Sequence, residues 1–318
     1  MPDKLARPQN AAPTIDLSIV IVSWNTAKLL GQCLRTIYAN PPCGDFEVLV
    51  VDNASTDASP HMVRECFPQV KLIENEKNVG FAGANNQAIR QSHGRYILLL
   101  NPDTEVEPHA LERLMKFMET HSQAGAAGAQ ILNPDRTLQV SCFPAPTIYR
   151  EFWRLFHLEV IWPYGAYRMA DWRLDQPREV DILLGACLFV RRAALDQVGL
   201  LDENYFIYSE EVDICYRLQK GGWSIHWVPQ AKVIHYEGQS TQQAAAEMFM
   251  YLYQGKLFFI RKHYGWLAGQ IYKLILLVTA LARLIISPLV WLERPSRRQK
   301  HLALASRYWQ LVRTLPEM

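Results

Sequence analysis

Cysteine is scarce in this 318-residue chain, and its spacing forms no recognisable pattern. The sequence has six cysteines and no C-x-x-C pair, which indicates neither a zinc site nor a disulfide framework. The first sixteen residues, MPDKLARPQNAAPTID, contain no apolar run. We therefore expect no signal peptide, a flexible arm over residues 1–15, and a reducing cytosol as the compartment.

Internal repeats and low-complexity segments are also missing beyond the N-terminal arm, so no repeat architecture is expected. The chain is 49% hydrophobic and 20% charged, a composition that can bury a sizeable core and that excludes a disordered protein. Its length suits one large domain, or one domain with an appendage.

Negative charge is nearly absent from the last part of the chain. Residues 261–318 hold ten Lys and Arg against two Asp and Glu, a local charge of +8, whereas the remainder holds 23 basic and 29 acidic residues, or −6. Such a basic tail suits a polyanion. Because the tail is too apolar for a solvated arm, we expect an anionic membrane surface as its partner and no nucleic acid.

The tail contains an apolar run over residues 274–292 (LILLVTALARLIISPLVWL). It nearly reaches the roughly 20 residues that span a bilayer, but Arg283 lies in its middle and Pro288 interrupts it, which disfavours a span. We predict a helical, membrane-associating tail over residues 244–318 that lies in the interface. A span, a re-entrant hairpin and soluble packing stay open. The expected location is the cytoplasm, peripheral on the inner face of the cell membrane.

Strand and helix patterns alternate through the first half of the chain. Predicted strands cover residues 17–23, 46–52, 70–74 and 96–100, and predicted helices cover residues 27–38, 59–67, 81–92 and 108–121. Strands that are apolar on both faces and alternate with helices predict an α/β fold with a mostly parallel sheet and helices on both faces. Ligands of such folds bind at the carboxyl ends of the strands.

The pattern weakens after Ala129. Residues 143–180 are rich in aromatic residues, proline and arginine, and we interpret them as an insertion on the acceptor side of one domain over residues 16–243. An apolar strand is predicted over residues 183–190, a helix over 210–220 and a final strand over 223–228.

Two carboxylates follow strands of the predicted sheet. Asp52 ends the second strand in VVDNASTD, and Asp103 follows the fourth in LLLNPDTE. Asp52 can accept the imide N–H of a pyrimidine base, or it can cap a turn. Asp103 has no basic neighbour in sequence, and Mg²⁺ typically takes one or two protein carboxylates plus substrate phosphates. The pattern favours a diphosphate substrate bound through a metal.

Three further motifs each have a structural and a functional interpretation. NVGFAGANN (residues 78–86) is a tight turn, or it lets backbone and a helix N-terminus approach an anion. The acids of SEEVDICYRL, Glu210 and Glu211, suit a helix N-terminus, or they supply a general base. His235 in VIHYEGQST is structural, or it joins Asp103 at a metal.

Taken together, these motifs resemble those of family-2 glycosyltransferases with the GT-A (Rossmann-like) fold, in the rhamnosyltransferase-like branch of bacterial surface-polysaccharide assembly. Seven pieces occur in the family's order between residues 17 and 241: LSIVIVSWNTAKLLGQCLRTI, FEVLVVDNASTD, NVGFAGANNQAI, YILLLNPDTEVEP, LLGACLFVRRAAL, VGLLDENYFIYSEEVDICYRLQKGGW and VIHYEGQST.

The resemblance implies a set of residues that bind the nucleotide sugar. These are Asp52 and Asn53 at the base, Asn78, Gly80 and Asn85 along the nucleotide, Asn101 at the first position of the Asp-x-Asp motif, and Gly185 and Ala186 at the sugar and acceptor pocket.

The resemblance also implies the groups that carry the chemistry. Asp103 and His235 would hold Mg²⁺ or Mn²⁺, and Glu211 would be the catalytic base, with Glu210 as the alternative. The implied reaction is the inverting transfer of a sugar from a nucleotide-diphosphate sugar, with deoxythymidine-diphosphate rhamnose (dTDP-rhamnose) favoured, to a lipid-linked or saccharide acceptor.

Two other functions are weighed against this one. A sugar-nucleotide nucleotidyltransferase needs a glycine-rich loop with a basic residue after the first strand, but SWNTAKLL has no glycine before Gly31. A catalytically inactive, membrane-attached scaffold would be indicated by the loss of Asp103 or of both acids at 210 and 211, and all three are present.

Overall fold

The structure is a computed structural model that describes residues 15–238, 244–287 and 295–318. Most of the predicted N-terminal arm and the segment containing Pro288 therefore lie outside the described residues.

Strands and helices alternate as predicted in the first half of the chain, with ends that fall within two residues of the predicted ones. The strands are β1 (Leu17–Ser23), β2 (Phe46–Asp52), β3 (Lys71–Glu74), β4 (Tyr96–Leu100), β5 (Thr104–Val106), β6 (Ala124–Leu132), β7 (Cys142–Phe143), β8 (Arg178–Glu179), β9 (Ile182–Leu183), β10 (Cys187–Arg191) and β11 (Ser224–His235). The helices are α1 (Ala27–Ala39), α2 (Ser59–Cys66), α3 (Gly80–Gln91), α4 (Ala110–Thr120), α5 (Ile148–Leu155), α6 (Arg192–Val198), α7 (Glu210–Lys220), α8 (Ala245–Tyr264), α9 (Trp266–Ile286) and α10 (Pro295–Thr314).

One central sheet organises these elements. Its order is β3-β2-β1-β4-β10-β6-β11-β5, and β8 pairs with β11. Strands β3, β2, β1 and β4 are parallel neighbours, and so are β6 and β11. β10 runs antiparallel between β4 and β6, and therefore β4 and β6 point the same way. The predicted mostly parallel sheet is confirmed.

Both faces of the sheet are buried, as the apolar strands predicted. In β1, Leu17, Ile19 and Ile21 belong to the cluster that packs against α1 and α4. Val20 and Val22 point to the opposite cluster, which contains residues of α3 and α7. Successive side chains of a strand alternate between faces, so helices on both sides leave only the strand ends for binding.

Two predicted strands differ from the structure. The predicted strand over 183–190 is interrupted at residues 184–186, because β9 pairs with β7 in a separate small sheet while β10 joins the central one. The final strand does not end at Val228 but continues to His235, with a register shift between Val228 and Lys232. Pro229 lies in this irregular stretch, where a missing backbone N–H is tolerated. β11 thereby carries His235 to the carboxyl rim.

The described tail is helical and has its own core. Residues of α8, α9 and α10 form a third apolar cluster that also contains Leu155 of the 143–180 segment and Tyr205 before α7. The tail therefore packs against the α/β unit through α5 and α7. The domain boundary near residue 243 stays a prediction.

Asp213 links α7 to the tail. Its fully buried carboxylate accepts hydrogen bonds from Arg217 Nε at 2.6 Å and from Lys262 Nζ and His263 Nε2 at 2.7 Å each. Burial would raise the pKa of Asp213, but the bonds from His263 and Lys262 and the Arg217 charge hold it well below its usual range. Arg217 lies four positions after Asp213 on α7, the spacing at which two helical side chains can pair.

We expect Asp213→Asn to lower the free energy of unfolding by about 3–5 kcal/mol, because removing one partner leaves buried charges unpaired. Because the folded pKa is depressed, the contribution of Asp213 is complete at neutral pH and is lost as the pH falls through that pKa. Urea unfolding at pH 7 and at acidic pH measures both effects. Asp196→Asn, at an exposed position of α6, is the matched control, and equal stabilities of the two variants would contradict the expectation.

Candidate active site

A cleft of about 280 Å³ opens at the carboxyl ends of β1 and β4. Most predicted site residues line it: Asn53, Asn78, Gly80, Asn101, Asp103, Gly185, Ala186, Glu210, Glu211 and His235. Asp52 and Asn85 are the two predicted site residues outside this lining. Predicted site residues from six separate stretches of the chain thus meet in one crevice.

Asp103 and His235 form a close pair in the cleft. Asp103 Oδ1 lies 3.3 Å from His235 Nε2, and both side chains are more than nine-tenths buried. Antiparallel pairing of β11 with β5 sets His235 opposite Thr104, and Tyr236 N–H donates to the Asp103 carbonyl at 2.9 Å. Backbone pairing therefore fixes the two side chains relative to each other.

A hydrogen-bond chain defines the tautomer of His235. Gln139 Nε2 donates to Asn133 Oδ1 at 3.2 Å and to Glu237 Oε2 at 3.1 Å. The Gln139 amide oxygen therefore faces His235 Nδ1, at 2.8 Å, and Nδ1 must be the protonated nitrogen. Asn101 Nδ2 donates to Nε2 at 3.4 Å, which is consistent with a lone pair on Nε2.

The chemistry of these donors fits a divalent cation. A carboxylate oxygen and an imidazole lone pair at 3.3 Å are two acceptors facing each other, an arrangement that a cation between them would stabilise. Among the described residues no group of three or more His, Cys, Asp and Glu side chains is placed to hold a metal. Asp103 and His235 alone would supply the protein ligands, which leaves positions for substrate phosphates.

Glu210 and Glu211 lie at the other side of the cleft, at the start of α7. Two consecutive left-handed residues, Tyr208 (φ 69°) and Ser209 (φ 72°), precede them, and such backbone outliers concentrate at functional sites. One oxygen of each carboxyl, Oε2, is buried and has no hydrogen-bond partner within the described parts of the chain. The backbone turn at Tyr208 and Ser209 therefore places both carboxyl groups in the site. Hydrogen bonds at the two Oε2 atoms do not contribute to this placement.

The two carboxyls differ in how well they hold a negative charge. Burial raises the pKa of Glu210 well above its usual range, and the neighbouring Glu211 raises it further. Burial also raises the pKa of Glu211, but backbone N–H groups at the start of α7 and the Lys256 ammonium oppose this rise. Glu211 therefore has neighbouring groups that stabilise its negative charge, whereas the neighbour of Glu210, Glu211, disfavours a negative charge on Glu210.

Asp52 is buried at the end of β2, just behind the cleft lining. Its Oδ2 accepts the Ser55 N–H at 3.0 Å, as in a capped turn, while Oδ1 has no partner among the residues that the structure describes. A buried carboxylate oxygen without a donor is costly, and a nucleobase N–H would satisfy it.

Asn53 organises the neighbouring loop. Its amide nitrogen donates to Asn78 Oδ1 at 2.8 Å and to the Gly80 carbonyl at 3.2 Å. Its amide oxygen accepts from Asn75 Nδ2 at 3.1 Å and Val79 N–H at 3.0 Å. All four hydrogen-bonding positions are used within the protein, so this amide acts as a scaffold for the rim. A direct contact with a nucleotide stays a prediction for Asn53.

Gly80 permits a close approach at the start of α3. Its φ is +82°, and a Cβ there would lie 2.6 Å from the Phe206 carbonyl oxygen, which itself accepts the Phe81 N–H at 2.6 Å. The loop before α7 is thereby fixed to α3. Asn85 points elsewhere, because its Nδ2 donates to the Phe81 carbonyl at 2.8 Å, and its predicted nucleotide contact is not tested.

Residues 184–186, between β9 and β10, complete the wall of the cleft. The Asn101 N–H donates to the Ala186 carbonyl at 3.0 Å. A Cβ on Gly185 would lie 3.5 Å from Glu211 Cβ, an ordinary contact, so packing alone does not require glycine there.

Sequence reasoning missed the groups that support the predicted residues. Glu237 follows His235 by two positions, and strand periodicity would have placed both on one face. Gln139 lies 96 positions from His235, in the stretch where the pattern had weakened, and no local signal marks it. Lys256 is on a tail helix that was interpreted only in terms of a membrane.

A larger cavity, of about 500 Å³, lies between the 204–207 loop, α8 and the C-terminus. It shares Phe206 and Ile207 with the cleft, but it is lined by none of the predicted site residues.

The sequence of this chain is similar to those of known proteins. The family described as "Glycosyl transferase family 2" matches residues 18–198. N-acetylglucosaminyl-diphospho-decaprenol L-rhamnosyltransferase of Mycobacterium tuberculosis is 34% identical over 236 residues, covering 69% of this chain and 76% of that protein. Rhamnosyltransferase WbbL of Escherichia coli is 26% identical over 242 residues, covering 73% and 87%.

A solved structure shares the fold. Mannosyltransferase PcManGT from Pyrobaculum calidifontis, in complex with GDP-Man and Mn²⁺, superposes with a TM-score of 0.56 over 97% of this chain and 91% of its own, at 19% identity. The fold class and the resemblance seen in the sequence are both confirmed. This chain belongs to glycosyltransferase family 2, and it is an inverting glycosyltransferase with the GT-A fold.

Proposed function

We propose that this protein transfers L-rhamnose from dTDP-rhamnose to a sugar carried on a polyprenyl diphosphate, in the assembly of a bacterial surface polysaccharide. The names of the two rhamnosyltransferase relatives support the sugar, and the decaprenyl-diphosphate acceptor in the name of one of them supports the lipid. The observation that carries the proposal is the meeting of Asp103, His235 and Glu211 in one cleft.

A divalent metal, Mg²⁺ or Mn²⁺, would be held by Asp103 and His235. When bound, such an ion neutralises the charge that develops on a leaving diphosphate. Mn²⁺ in the GDP-Man complex of the mannosyltransferase is consistent with this choice. Asp52, with its unpartnered Oδ1, would accept the N–H of the thymine base.

Glu211 would remove the proton from the acceptor hydroxyl. The acceptor oxygen forms a bond to the anomeric carbon while the bond from that carbon to the diphosphate oxygen breaks, so one displacement inverts the configuration. The proton goes to the Glu211 carboxylate and the electron pair leaves with the nucleoside diphosphate. Glu210 would keep its own proton and thereby limit the negative charge beside the donor.

A screen of nucleotide sugars tests the proposal. The full chain is incubated with Mn²⁺ or Mg²⁺ and a polyprenyl-diphosphate-linked N-acetylglucosamine, and released nucleoside diphosphate is measured. We expect release with dTDP-rhamnose above all other donors, and only when the acceptor is present. Faster transfer from another donor would contradict the assignment of the sugar, and transfer undiminished by EDTA would contradict the metal.

The role of Gln139 gives a separate prediction. Gln139→Met removes the acceptor that fixes the tautomer of His235, and loss of such an outer partner typically weakens metal binding roughly 10–100-fold. Mn²⁺ affinity in the presence of dTDP, followed by electron paramagnetic resonance, measures the effect, and turnover should recover at high Mn²⁺. Gln219→Met, on α7 and outside the cleft lining, is the matched control. Unchanged Mn²⁺ affinity in Gln139→Met would show that Gln139 does not position His235.

A further inference from the structure

One side of α9 is apolar and exposed along its whole length. The exposed apolar side chains on this side are separated by three or four positions, the spacing that places residues on one side of a helix. They are Leu267, Ile271, Leu274, Val278, Leu281 and Ile285, and each is 40–78% exposed. From first to last this row is about 27 Å long. The opposite side, which includes Tyr272 and Leu276, is buried in the tail's core. Packing within the protein therefore uses only one of the two apolar sides of this helix.

A second exposed apolar segment lies beside the C-terminal end of α9. Arg283 donates to the Leu155 carbonyl and to His157 Nε2, at 3.0 Å each. Just beyond this junction Val160, Ile161 and Trp162 are 90, 77 and 65% exposed. We name these three residues together with the α9 row the apolar face. It joins the 143–180 segment and the tail, two parts of the chain far apart in sequence.

The chemistry of the apolar face and its surroundings favours a lipid surface. Soluble proteins rarely expose a contiguous apolar patch larger than a few hundred Å² unless it binds something. Trp162, and Trp266 at the start of α9, are 65 and 67% exposed, and tryptophan suits the boundary between headgroups and acyl chains. Residues 261–318 carry a net charge of +8. Lys262 and Arg283 are bound within the protein, and the other basic residues of this segment suit anionic lipid, which attracts basic segments near its surface.

The contacts of Arg283 argue that α9 lies on the membrane rather than across it. By length and composition α9 is apolar enough to cross a bilayer. However, the Arg283 guanidinium donates to the Tyr308 hydroxyl of α10 and to the carbonyl of Leu155, the last residue of α5. Crossing the bilayer would separate α9 from both partners and leave a charge in the hydrocarbon.

We propose that the apolar face docks this protein on an anionic membrane, with α9 parallel to the surface. α8 packs against α9 and also contributes to the active site, because Met248 lines the cleft and the Lys256 charge acts against the rise in the pKa of Glu211. Docking would therefore hold the cleft at a fixed orientation to the bilayer. That this orientation serves a lipid-linked acceptor rests on the proposed function, whereas docking itself does not.

Flotation with lipid vesicles tests the proposal without any turnover. The full chain is mixed with vesicles of phosphatidylcholine containing phosphatidylglycerol, and with vesicles of phosphatidylcholine alone. We expect binding to the anionic vesicles that weakens at high salt. The double variant Leu274→Glu/Ile285→Glu should bind at least about tenfold more weakly, because it removes two buried leucine-sized contacts and adds repulsion. Ile161→Glu should weaken binding in the same direction.

Leu174→Glu is the matched control, since Leu174 is 53% exposed and follows Trp172, which packs on the sheet rather than on the tail. Circular dichroism and Mn²⁺–dTDP binding verify that each variant is folded, so a failure of docking is separable from a failure of the proposed reaction. Equal vesicle binding by the double variant and Leu174→Glu would overturn the proposal. So would an absence of vesicle binding by the unaltered chain, or a double variant that converts a dimer into a monomer, because the face would then cover a second copy.

Discussion

Glu211→Gln is expected to lower kcat by about 10²–10⁴-fold, the range that general-base catalysis contributes, while the affinity for the donor stays unchanged. The substitution keeps the shape of the side chain and removes its ability to take a proton. Single-turnover kinetics with a saturating donor, together with calorimetric titration of dTDP in the presence of Mn²⁺, separates the two effects. Near-normal turnover would remove Glu211 from the role of base.

Glu210→Gln is the matched control for that experiment, because it changes the adjacent carboxyl of the same cleft. Since burial and the neighbouring Glu211 both disfavour a negative charge on Glu210, this variant should keep most of its turnover. Its pH dependence adds a second readout. Burial raises the pKa of Glu211, so activity should fall with decreasing pH at a higher pH than an ordinary glutamate would give. A variant of position 210 that loses more activity than one of position 211 would reverse the assignment.

Asp103→Asn is expected to reduce turnover by roughly 10²–10³-fold, because the stabilisation that a metal supplies in such reactions is worth several kcal/mol. The neutral amide also loses the carboxylate that faces His235 at 3.3 Å. We expect donor binding to weaken when Mn²⁺ is present and to change little in EDTA. Titration of dTDP with and without Mn²⁺ measures this difference.

Glu105→Gln is the control for Asp103→Asn. Glu105 lies two positions further on, in β5, and it bonds Gln32 and Tyr236 outside the cleft lining. Glu105→Gln removes one negative charge, as Asp103→Asn does, at a position two residues away. A general electrostatic effect would therefore appear in both variants. Equal Mn²⁺-dependent binding in Asp103→Asn and in the unaltered chain would show that Asp103 is not a metal ligand.

Much of the sheet could be predicted because its edges and strands follow simple patterns. β1, β2 and β4 are short and mostly apolar, polar residues follow them, and the carboxyl ends of parallel strands must meet at one rim. Asp103 was therefore predictable as a rim residue from its place after a strand. The same reasoning placed Asp52 at the rim, although not its position just behind the cleft lining.

The sequence pattern does not predict β6, and the reason is physical. Its sequence, AGAAGAQIL, has small residues of low strand propensity, yet every one of its residues is buried. A Cβ on Gly125 would lie 2.6 Å from Trp223 Cβ, and one on Gly128 would lie 2.7 Å from Leu183 Cδ2. The small residues are required by close neighbours that are distant in sequence. The residue pattern within one stretch of the chain carries no information about such neighbours.

The partner of His235 could not be predicted for a similar reason. Which nitrogen carries the proton depends on Gln139, whose own amide is oriented by Asn133 and Glu237. Gln139 and His235 lie 96 positions apart, and no spacing in the sequence predicts that they are in contact. The sequence motif supplies the histidine, and only the folded chain supplies its tautomer.

The ion cluster around Asp213 limits how this chain can exchange parts with its relatives. Two of the three side chains that hydrogen-bond this carboxylate, Lys262 and His263, belong to the tail. A chimera with a foreign C-terminus after the family-2 region would leave the Asp213 carboxylate buried without these two partners. It would fold well only if the foreign segment supplied equivalent hydrogen-bond donors. Recombination between such enzymes should therefore succeed only where helix α7 and the following helices are inherited together.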